Sequence, residues 1–343
     1  MKRLFVGFSN VAGYATRLLK GFEGIGTSAD VYIEGDHVFN YSTERLKRYK
    51  LPKSRWMQRI YTRYFLLKCL IKYDAFLFIS AQTFLKDHKD LKILRFFGKR
   101  TGLIFTGCDV QQPEKTYEPH IPYSSCHVCN DDYKKFVGCV PETKKIRTRK
   151  LEEQIDVIFN DRALRNVIHR DAPHLNQPIN IEEFPEVINH PKNPKPVILH
   201  APSNSGYKGT QYLIDAVERL KKEFDFEFRL VNNVSLQKLY EEIAKSDLVV
   251  DQLIQGWFGM LPLEAMMFEK PVVCYMRDDV ATAQPPDNPM INANPATIYN
   301  VLRELLKDTS NWQQTGKDGR KYVVKYHDSK IVAKQYTDIL LNN

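Results

Sequence analysis

The sequence predicts an α/β protein built from two Rossmann-like domains. The chain has 343 residues, of which 43% are hydrophobic and 12% aromatic, which is enough for two folded cores. Each half contains a short apolar run, a loop with glycine and an amphipathic helical run, at Lys2–Phe22 and again at His200–Leu220. Four prolines between positions 185 and 196 separate the halves, which is typical of an interdomain linker.

These features also predict the domain boundaries. We expect a first domain at residues 1–182, a linker at 183–196, a second domain at 197–322 and C-terminal helices at 323–343. A polar, cysteine-bearing insert at 111–150 interrupts the first domain, because that stretch lacks the apolar periodicity of helices and strands.

The composition predicts a cytoplasmic protein. No run of about 18 apolar residues is present, so no membrane span is predicted. The N-terminus begins with basic residues but has no apolar stretch long enough for a secretory signal, and Leu4–Phe8 is better explained as a first strand. In the cytoplasm, the six cysteines are expected to stay reduced or to bind a metal ion.

The positive charge is concentrated in the first half of the chain. Residues 1–180 contain 31 Lys and Arg against 19 Asp and Glu, and Arg45–Lys72 alone carries ten basic residues and no acidic one. Aromatic residues lie among these charges, a mixture that suits an anionic bilayer surface and predicts a peripheral position at the inner face of the cell membrane. The alternative is a solvated helix face with its aromatic residues in the core. No nucleic-acid-binding motif accompanies the charge, so nucleic acid is not a predicted partner.

Five strands are predicted in the first domain from their apolar runs. They are Lys2–Phe8, Ala29–Glu34, Tyr73–Ser80, Thr101–Phe105 and the run DVIFN that begins at Asp156. The continuous apolar run of Tyr73–Ser80 is typical of a parallel strand covered on both faces. The first strand is followed by a loop with Gly13 and then by a helical run. This order predicts either a ligand-binding turn or a simple connection.

Asp109 is the candidate catalytic carboxylate. It closely follows the strand Thr101–Phe105, and open α/β sheets bind their ligands at the carboxyl ends of central strands. A carboxylate at this position can contact a substrate hydroxyl. The alternative is a turn aspartate that accepts hydrogen bonds from its own backbone.

The region around the insert carries a candidate structural zinc site. Two thiols separated by two residues form half of a tetrahedral site, and two further cysteines nearby can complete it. The four are Cys108, Cys126, Cys129 and Cys139. His120 or His127 can replace one thiol, and the alternative is a set of free or redox-active thiols.

Lys208 is the candidate phosphate ligand in the second domain. It lies between a strand that begins at Val197 and a helical run with an apolar stripe that ends at Leu220. A lysine near a helix N-terminus opposes the helix dipole unless an anion occupies the site. The alternative is a solvated surface lysine.

A second β-loop-α-β unit covers Asp247–Tyr275. Proline is tolerated in the first turn of a helix, so Pro262 marks a helix start. The loop before it contains Gly259, and the N–H groups from this glycine through Met260 and Leu261 are expected to bind an anion.

Glu264 lies one turn into this helix. A carboxylate beside a phosphate site is expected to accept hydrogen bonds from sugar hydroxyls, as the ribose-binding acid does in dinucleotide folds. The alternative is a buried βαβ unit without a ligand.

The run GWFGMLPLEAMMFEKPVV resembles the donor-site signature of family-4 retaining glycosyltransferases of the GT-B fold, in which two glutamates are separated by seven residues. The second glutamate corresponds to Glu264, which the resemblance makes the ribose ligand of a nucleotide-sugar. The first corresponds to Gly256, so a carboxylate that faces the donor sugar in the family is absent here. The resemblance spans nearly the whole chain and is strongest over His200–Tyr275.

The resemblance assigns further roles. Lys208 corresponds to a lysine that neutralises the leaving diphosphate, and the arginine that accompanies it is replaced by Ser205 or a residue nearby. The loop with Gly13 is expected against the donor diphosphate or the acceptor. Asp109 matches the end of a His-Gly-Ser-Asp turn, in which Thr106 replaces the histidine and removes one candidate general base. The family also implies two domains facing a cleft, with the last helix crossing back onto the first domain.

The implied activity is a metal-independent, retaining transfer of a sugar from a nucleotide diphosphate-sugar to a glycan or lipid-linked acceptor. Lys208 and the N–H groups of Gly259–Leu261 are expected to stabilise the departing β-phosphate, so no catalytic cofactor is predicted. Two alternatives stay open. The first is a nucleotide-sugar-binding or scaffold protein that is catalytically impaired, which is favoured by Gly256 in place of the family glutamate and Thr106 in place of the histidine. The second is a nucleotide-sugar epimerase, which shares the architecture.

Overall fold

The structure is a computed structural model that divides into two compact units. The first comprises Met1–Lys115, Lys134–Asn180 and His327–Asn343, and the second comprises Thr116–Tyr133 and Ile181–Tyr326. The domain boundaries expected from the sequence stay predictions. The residues that the structure describes are 2–34, 45–111, 122–126, 128–129, 134, 139–159, 164, 167–187 and 193–342.

The described part of the first unit contains one parallel sheet. Its strands are β1 (Arg3–Phe8), β2 (Ser28–Ile33), β3 (Lys47–Arg48), β4 (Ala75–Ile79), β5 (Arg100–Ile104) and β6 (Val157–Phe159). The strand order is β3-β2-β1-β4-β5-β6. The helices between them are α1 (Tyr14–Gly24), α2 (Arg55–Lys72), α3 (Lys89–Phe96) and α4 (Pro141–Gln154).

Alternate side chains of the central strands enter two separate cores, because successive strand residues point to opposite faces of a sheet. Phe5, Phe76 and Phe78 lie in the core that α2, α3 and α4 cover. Leu4 and Leu77 lie in the core on the other face, beneath α1. The predicted parallel sheet, apolar on both faces, is confirmed.

The second unit contains a second parallel sheet. Its strands are β7 (Val197–His200), β8 (Glu227–Leu230), β9 (Leu248–Val250), β10 (Val272–Cys274) and β11 (Ile291–Asn292), in the order β11-β10-β9-β7-β8. Its helices are α5 (Ser205–Lys208), α6 (Thr210–Leu220), α7 (Leu236–Lys245), α8 (Met260–Met267), α9 (Asp278–Ala281), α10 (Ile298–Lys307) and α11 (Trp312–His327). The last helix of the chain is α12 (Ser329–Leu341).

Each sheet has one point where the direction of the strand order reverses. In the first unit the chain moves outward from β1 to β3 and returns to β4 beside β1. In the second unit it moves from β7 to β8 and returns to β9 on the other side of β7. Open α/β sheets bind ligands outside the carboxyl ends of the strands at this reversal. A ligand site is therefore expected at the loops after β1 and β4 in the first unit, and after β7 and β9 in the second.

Helix α12 belongs to the first unit and packs against α1. A Cβ placed on Gly21 of α1 would lie 2.2 Å from the backbone oxygen of Ser329, at the start of α12. Backbone atoms in two packed helices cannot move apart cheaply. The close approach of these helices therefore requires glycine at position 21.

We expect Gly21→Ala to lower the free energy of unfolding of the first unit by about 2 kcal/mol, because the added methyl group forces the helices apart. Urea unfolding measures this loss. Gly24→Ala is the matched control, since a Cβ there meets only the flexible side chain of Lys330. Equal stability of the two variants would contradict the close packing at position 21.

His327 makes the stability of the first unit depend on pH. It is 1% exposed, and its Nδ1 lies 2.9 Å from the carbonyl oxygen of Gln177, to which it donates as a neutral ring. Burial lowers the pKa of His327 from 6.5 to about 4. Between these values the unfolded chain binds a proton that the folded state does not, so stability is full above pH 6.5 and is lost towards pH 4.

Between pH 7 and pH 4.5 we expect this one group to remove about 2.5 kcal/mol of stability. His327→Asn keeps an amide N–H to donate to Gln177 but cannot be protonated. The variant should therefore lose about that much less stability than the wild type in urea unfolding over this pH range. Parallel pH curves for the two proteins would show that His327 is not the group that titrates.

Candidate active site

The loops after β7 and β9 meet through one buried ion pair. The Lys208 ammonium lies 2.9 Å from Oδ1 and 3.3 Å from Oδ2 of Asp251. The Asp251 side chain is fully buried and that of Lys208 is 12% exposed. Since β7 and β9 are parallel neighbours, their carboxyl ends lie at the same edge of the sheet, at the reversal of strand order.

The local sequence holds Lys208 in this position. The Asn204 side chain caps α5 by accepting the Tyr207 N–H at 2.8 Å, and Lys208 is the last residue of this short helix. Gly209 follows with a φ of 76°, the left-handed conformation that glycine adopts without strain. The Leu253 N–H donates to the Lys208 carbonyl at 3.0 Å, which joins the two loops.

His200 fixes the end of β7. Its ring is fully buried, with Nδ1 2.8 Å from the Val250 carbonyl oxygen and Nε2 2.8 Å from Oγ1 of Thr210. A carbonyl only accepts, so Nδ1 carries the proton and Nε2 accepts from the hydroxyl. Burial lowers the pKa of His200 below its ordinary value, which keeps the ring neutral. His200 therefore fixes the positions of Val250 and Thr210 through its two hydrogen bonds and does not act as a general acid.

Lys208 also approaches the N-terminus of α8. A Cβ placed on Gly259, the residue before this helix, would lie 3.8 Å from the Lys208 ammonium. The ammonium and the positive end of the helix dipole thus lie together, and Asp251 occupies at most two of the three ammonium donors. Two positive groups against one carboxylate favour binding of a further anion here.

The other residues predicted at this site lie on the same elements. Met260 and Leu261 are the first two residues of α8, whose start the sequence placed at Pro262. Ser205 is the first residue of α5 and is exposed. The sequence therefore located the loops correctly, while the contact between Lys208 and Gly259 comes from the structure.

Glu264 lies inside α8 and is 2% exposed. The Tyr240 hydroxyl donates to its Oε1 at 3.2 Å. The Tyr240 ring in turn packs against Phe184 and Phe268, each with ring centroids 5.4 Å away. The Glu264 carboxylate is therefore positioned by a tyrosine whose ring is itself fixed by aromatic packing. The contact of this carboxylate with a ribose stays a prediction.

Gly256 has a structural reason to lack a side chain. Its φ is 75°, and a Cβ there would lie 2.6 Å from Cγ of Arg277. Arg277 is 8% exposed and pairs with Asp279, with Nε 3.0 Å from Oδ1. Its N–H donates to the Gly256 carbonyl at 3.1 Å. The space for a side chain at position 256 is thus filled by an arginine from the segment after β10.

Gln252 shapes the loop between β9 and α8. Its buried amide donates to the carbonyls of Trp257 at 2.9 Å and Tyr275 at 2.6 Å, and its Oε1 accepts the Gln255 N–H. One side chain thus satisfies two backbone groups of this loop and one of the segment that follows β10. This network sets the path of the chain towards Gly259.

In the first unit Asp109 makes the turn contact that was its alternative explanation. Its Oδ1 accepts the Thr106 N–H at 3.0 Å, and the hydroxyl of Thr106 lies 2.8 Å from that of Ser80 at the end of β4. Desolvation raises the pKa of Asp109 from 3.8 to about 6, although the Thr106 N–H and Arg147 act to lower it. Its contact with a substrate hydroxyl stays a prediction.

Gly13 lies in the loop after β1 with a φ of 75°, directly before α1. Asn10 holds this loop, because its side chain accepts the Thr16 N–H at 3.1 Å and donates to the Thr16 hydroxyl at 2.9 Å. Arg17 is buried and donates to the carbonyl of Ala12. Glycine is required here by the turn itself, and the predicted donor contact is untested.

Among known proteins, this chain finds matches only in solved structures. The chain matches no protein-family profile and no curated protein sequence. It does match solved structures over nearly its whole length. Sucrose-phosphate synthase from Thermosynechococcus elongatus superposes with a TM-score of 0.67 at 13% identity, covering 99% of this chain and 98% of that one. HepE from Anabaena, solved with UDP, gives 0.66 at 14% identity and 100% of both chains.

The chain has the GT-B fold. TarM from S. aureus, solved with UDP and α-GlcNAc-glycerol among its ligands, gives a TM-score of 0.62 at 10% identity, covering 99% of this chain and all of that one. At these identities the likeness establishes the GT-B fold alone, so the chemistry has to be argued from the residues of this chain.

The six cysteines of this GT-B chain include the four predicted zinc ligands. All six cysteines are described, and they are thiols. In the described ranges no three His, Cys, Asp or Glu side chains are grouped to hold a metal ion. Cys139 accepts a hydrogen bond from the buried Lys144 ammonium at 3.2 Å. His120 and His127 lie outside the described residues, and the structural zinc stays a prediction.

Sequence reasoning missed two residues that decide the site in this GT-B protein. Asp251 directly follows β9, so the rule that singled out Asp109 at the end of a strand could also have found it. Arg277 carries no such signal, because it is 21 positions from the glycine it faces and only the fold brings the two together. Gln252 and His200, which hold the surrounding loops, were also missed, although both lie at or near the end of a strand.

Proposed function

We propose that this protein is a retaining glycosyltransferase that takes its sugar from a nucleotide diphosphate-sugar. The observation that carries the proposal is the Lys208 ammonium, held by a buried carboxylate beside the start of α8 at the strand-order reversal of the second sheet. Such a site binds a diphosphate. The likeness to HepE solved with UDP and with UDP-glucose supports uracil as the base of the donor.

In this proposal the protein acts mainly by electrostatics. Charge develops on the β-phosphate as the bond from the sugar to the phosphate oxygen breaks. The Lys208 ammonium and the N–H groups at Gly259–Leu261 stabilise that charge without a divalent metal or other cofactor. The acceptor hydroxyl attacks from the side of the leaving group, so its proton passes to the departing phosphate. A general base at Thr106 is then unnecessary.

The acceptor in this proposal is a glycan or a lipid-linked sugar. Asp109 is its candidate contact, and Glu264 holds the ribose of the donor.

A second candidate function is favoured by one observation, namely the Arg277 side chain that fills the space at Gly256. A GT-B protein that binds the donor without turnover would have the same phosphate site and lack the carboxylate that faces the sugar.

A thermal-shift experiment tests donor binding. UDP at about 100 times its Kd should stabilise the protein by about 2.7 kcal/mol and raise its Tm. Glu264→Gln should weaken UDP binding about tenfold, because a neutral amide is a poorer acceptor for ribose hydroxyls, yet it can still accept the Tyr240 hydroxyl. Tyr240→Phe, which keeps the carboxylate and removes only the hydroxyl that donates to it, should weaken UDP binding less than Glu264→Gln does. No shift with any uridine nucleotide would contradict the proposal.

Turnover separates the candidate functions. Release of UDP from a UDP-sugar together with a glycosylated acceptor selects the glycosyltransferase. Binding without release selects the non-catalytic protein, and conversion of the donor sugar to its epimer without any acceptor selects an epimerase.

A further inference from the structure

Helix α2 presents an uncovered apolar stripe to solvent. Six large apolar side chains of this helix are between 50% and 90% exposed. They are Trp56, Met57, Ile60, Tyr64, Leu67 and Ile71. At about 100° per residue these six positions fall within an arc of about 100° on the helix surface, and they extend over about 22 Å of its length. This arrangement is a continuous face and not a set of scattered residues.

The stripe is separate from the face by which α2 packs on the sheet. Leu66, Cys69 and Leu70 enter the core of the first unit on the opposite side of the helix. The aromatic residues of the basic segment divide accordingly. Tyr61 and Phe65 are half-buried and stack on each other against the core, whereas Trp56 and Tyr64 are 69% and 57% exposed. The segment thus has one face whose aromatic residues pack against the core and another whose aromatic residues are exposed.

Basic residues border the stripe on both sides. Arg59 and Arg63 lie along one edge, and Lys68 lies along the other with its ammonium 5.7 Å from the centre of the Tyr64 ring. Among the described residues, no Asp or Glu forms an ion pair with these three side chains. Long basic side chains beside an apolar face suit the boundary between acyl chains and anionic headgroups.

We propose that α2 lies in the interface of an anionic bilayer, with the stripe from Trp56 to Ile71 inserted below the headgroups and its basic borders on the phosphates. The charge of the borders argues against pairing with a second copy of this face, since like charges would meet. A second exposed aromatic pair, Phe96 and Phe97, lies at the end of α3, which covers the same face of the sheet.

This surface is not a membrane span. Among the described residues, the structure has no helix that is long and apolar enough to cross a bilayer. The inference does not depend on the proposed glycosyltransfer. Where both hold, the acceptor is a lipid-linked molecule that the protein reaches at the membrane surface.

Vesicle cosedimentation tests the stripe. The wild type should bind phosphatidylcholine vesicles that contain about one-third phosphatidylglycerol and bind pure phosphatidylcholine at least tenfold less. Leu67→Ser with Ile71→Ser, at two exposed positions, should lower binding to the anionic vesicles at least tenfold. The control pair is Ile146→Ser with Ile331→Ser, which removes two exposed apolar side chains from other helices and should bind as the wild type does.

Fluorescence adds a readout of insertion. The emission of Trp56 should shift to shorter wavelength on anionic vesicles, and Trp56→Phe should abolish that shift. Equal binding by the wild type and the stripe variant, or no binding by the wild type, would overturn the proposal. A dimer in light scattering that the stripe variant dissociates would also overturn it, in favour of a second copy. UDP-induced thermal shifts of the stripe variant should match those of the wild type, which keeps this test separate from donor binding.

Discussion

Replacing Lys208 by Ala should destabilise the second unit by about 3 kcal/mol, because it leaves the fully buried Asp251 carboxylate without its partner. It should also reduce turnover of the donor by at least about 100-fold, since the leaving diphosphate loses its principal cation. Urea unfolding measures the first effect, and UDP release from a UDP-sugar measures the second.

These two losses are separable. Lys208→Met combined with Asp251→Asn removes both charges of the pair, so most of the stability should return. Donor binding and turnover should stay lost in the double variant, because no cation faces the diphosphate. A double variant that binds UDP as tightly as the wild type would exclude Lys208 as the phosphate ligand.

Gly256→Glu, which introduces the carboxylate that the sequence resemblance places at this position, should destabilise the protein by about 3 kcal/mol and should not raise turnover. Part of this cost is the left-handed backbone at position 256, and part is the clash of Cβ with Arg277. The same urea and UDP-release assays measure both results. A gain in turnover at undiminished stability would show that position 256 accepts a side chain and faces the donor.

The two contributions at this position can be told apart. Gly256→Ala should carry nearly the whole destabilisation, since the backbone conformation and the clash both begin at Cβ. Adding Arg277→Ala to Gly256→Glu should restore the part due to the clash and leave the part due to the backbone. Full recovery would mean that the left-handed conformation adds nothing.

The positions of most residues in the proposed phosphate site could be predicted from the local sequence. A strand, a glycine loop and a helix start have local causes, so the positions of Lys208, Gly259 and α8 could be predicted within a residue or two. The sequence placed Lys208 just before the helix that follows it in the chain. In the structure its ammonium lies instead beside Gly259, at the start of a helix about 50 residues later. The partner of a long side chain depends on strand order, which no local pattern encodes.

The basic segment shows the same division between local and tertiary information. The composition of Arg45–Lys72 shows its positive charge and its aromatic residues, and it is compatible with a long helix. The sequence alone could not say which aromatic residues enter the core. Tyr61 and Phe65 are half-buried because they fall on the side of α2 that meets the sheet, and Trp56 and Tyr64 are exposed because they fall on the other.

By itself the sequence determined two parallel-sheet units, the glycine-bearing loops at the ends of their strands, and the residue types able to bind a diphosphate, because these depend on neighbours in the chain. Only the tertiary structure decided that Asp251 neutralises Lys208, that Arg277 fills the space at Gly256, and that α2 leaves an apolar stripe uncovered. The first two are contacts between segments distant in the chain, and the third is the exposure of one helix face. All three are set by the order of strands and the packing of helices on them.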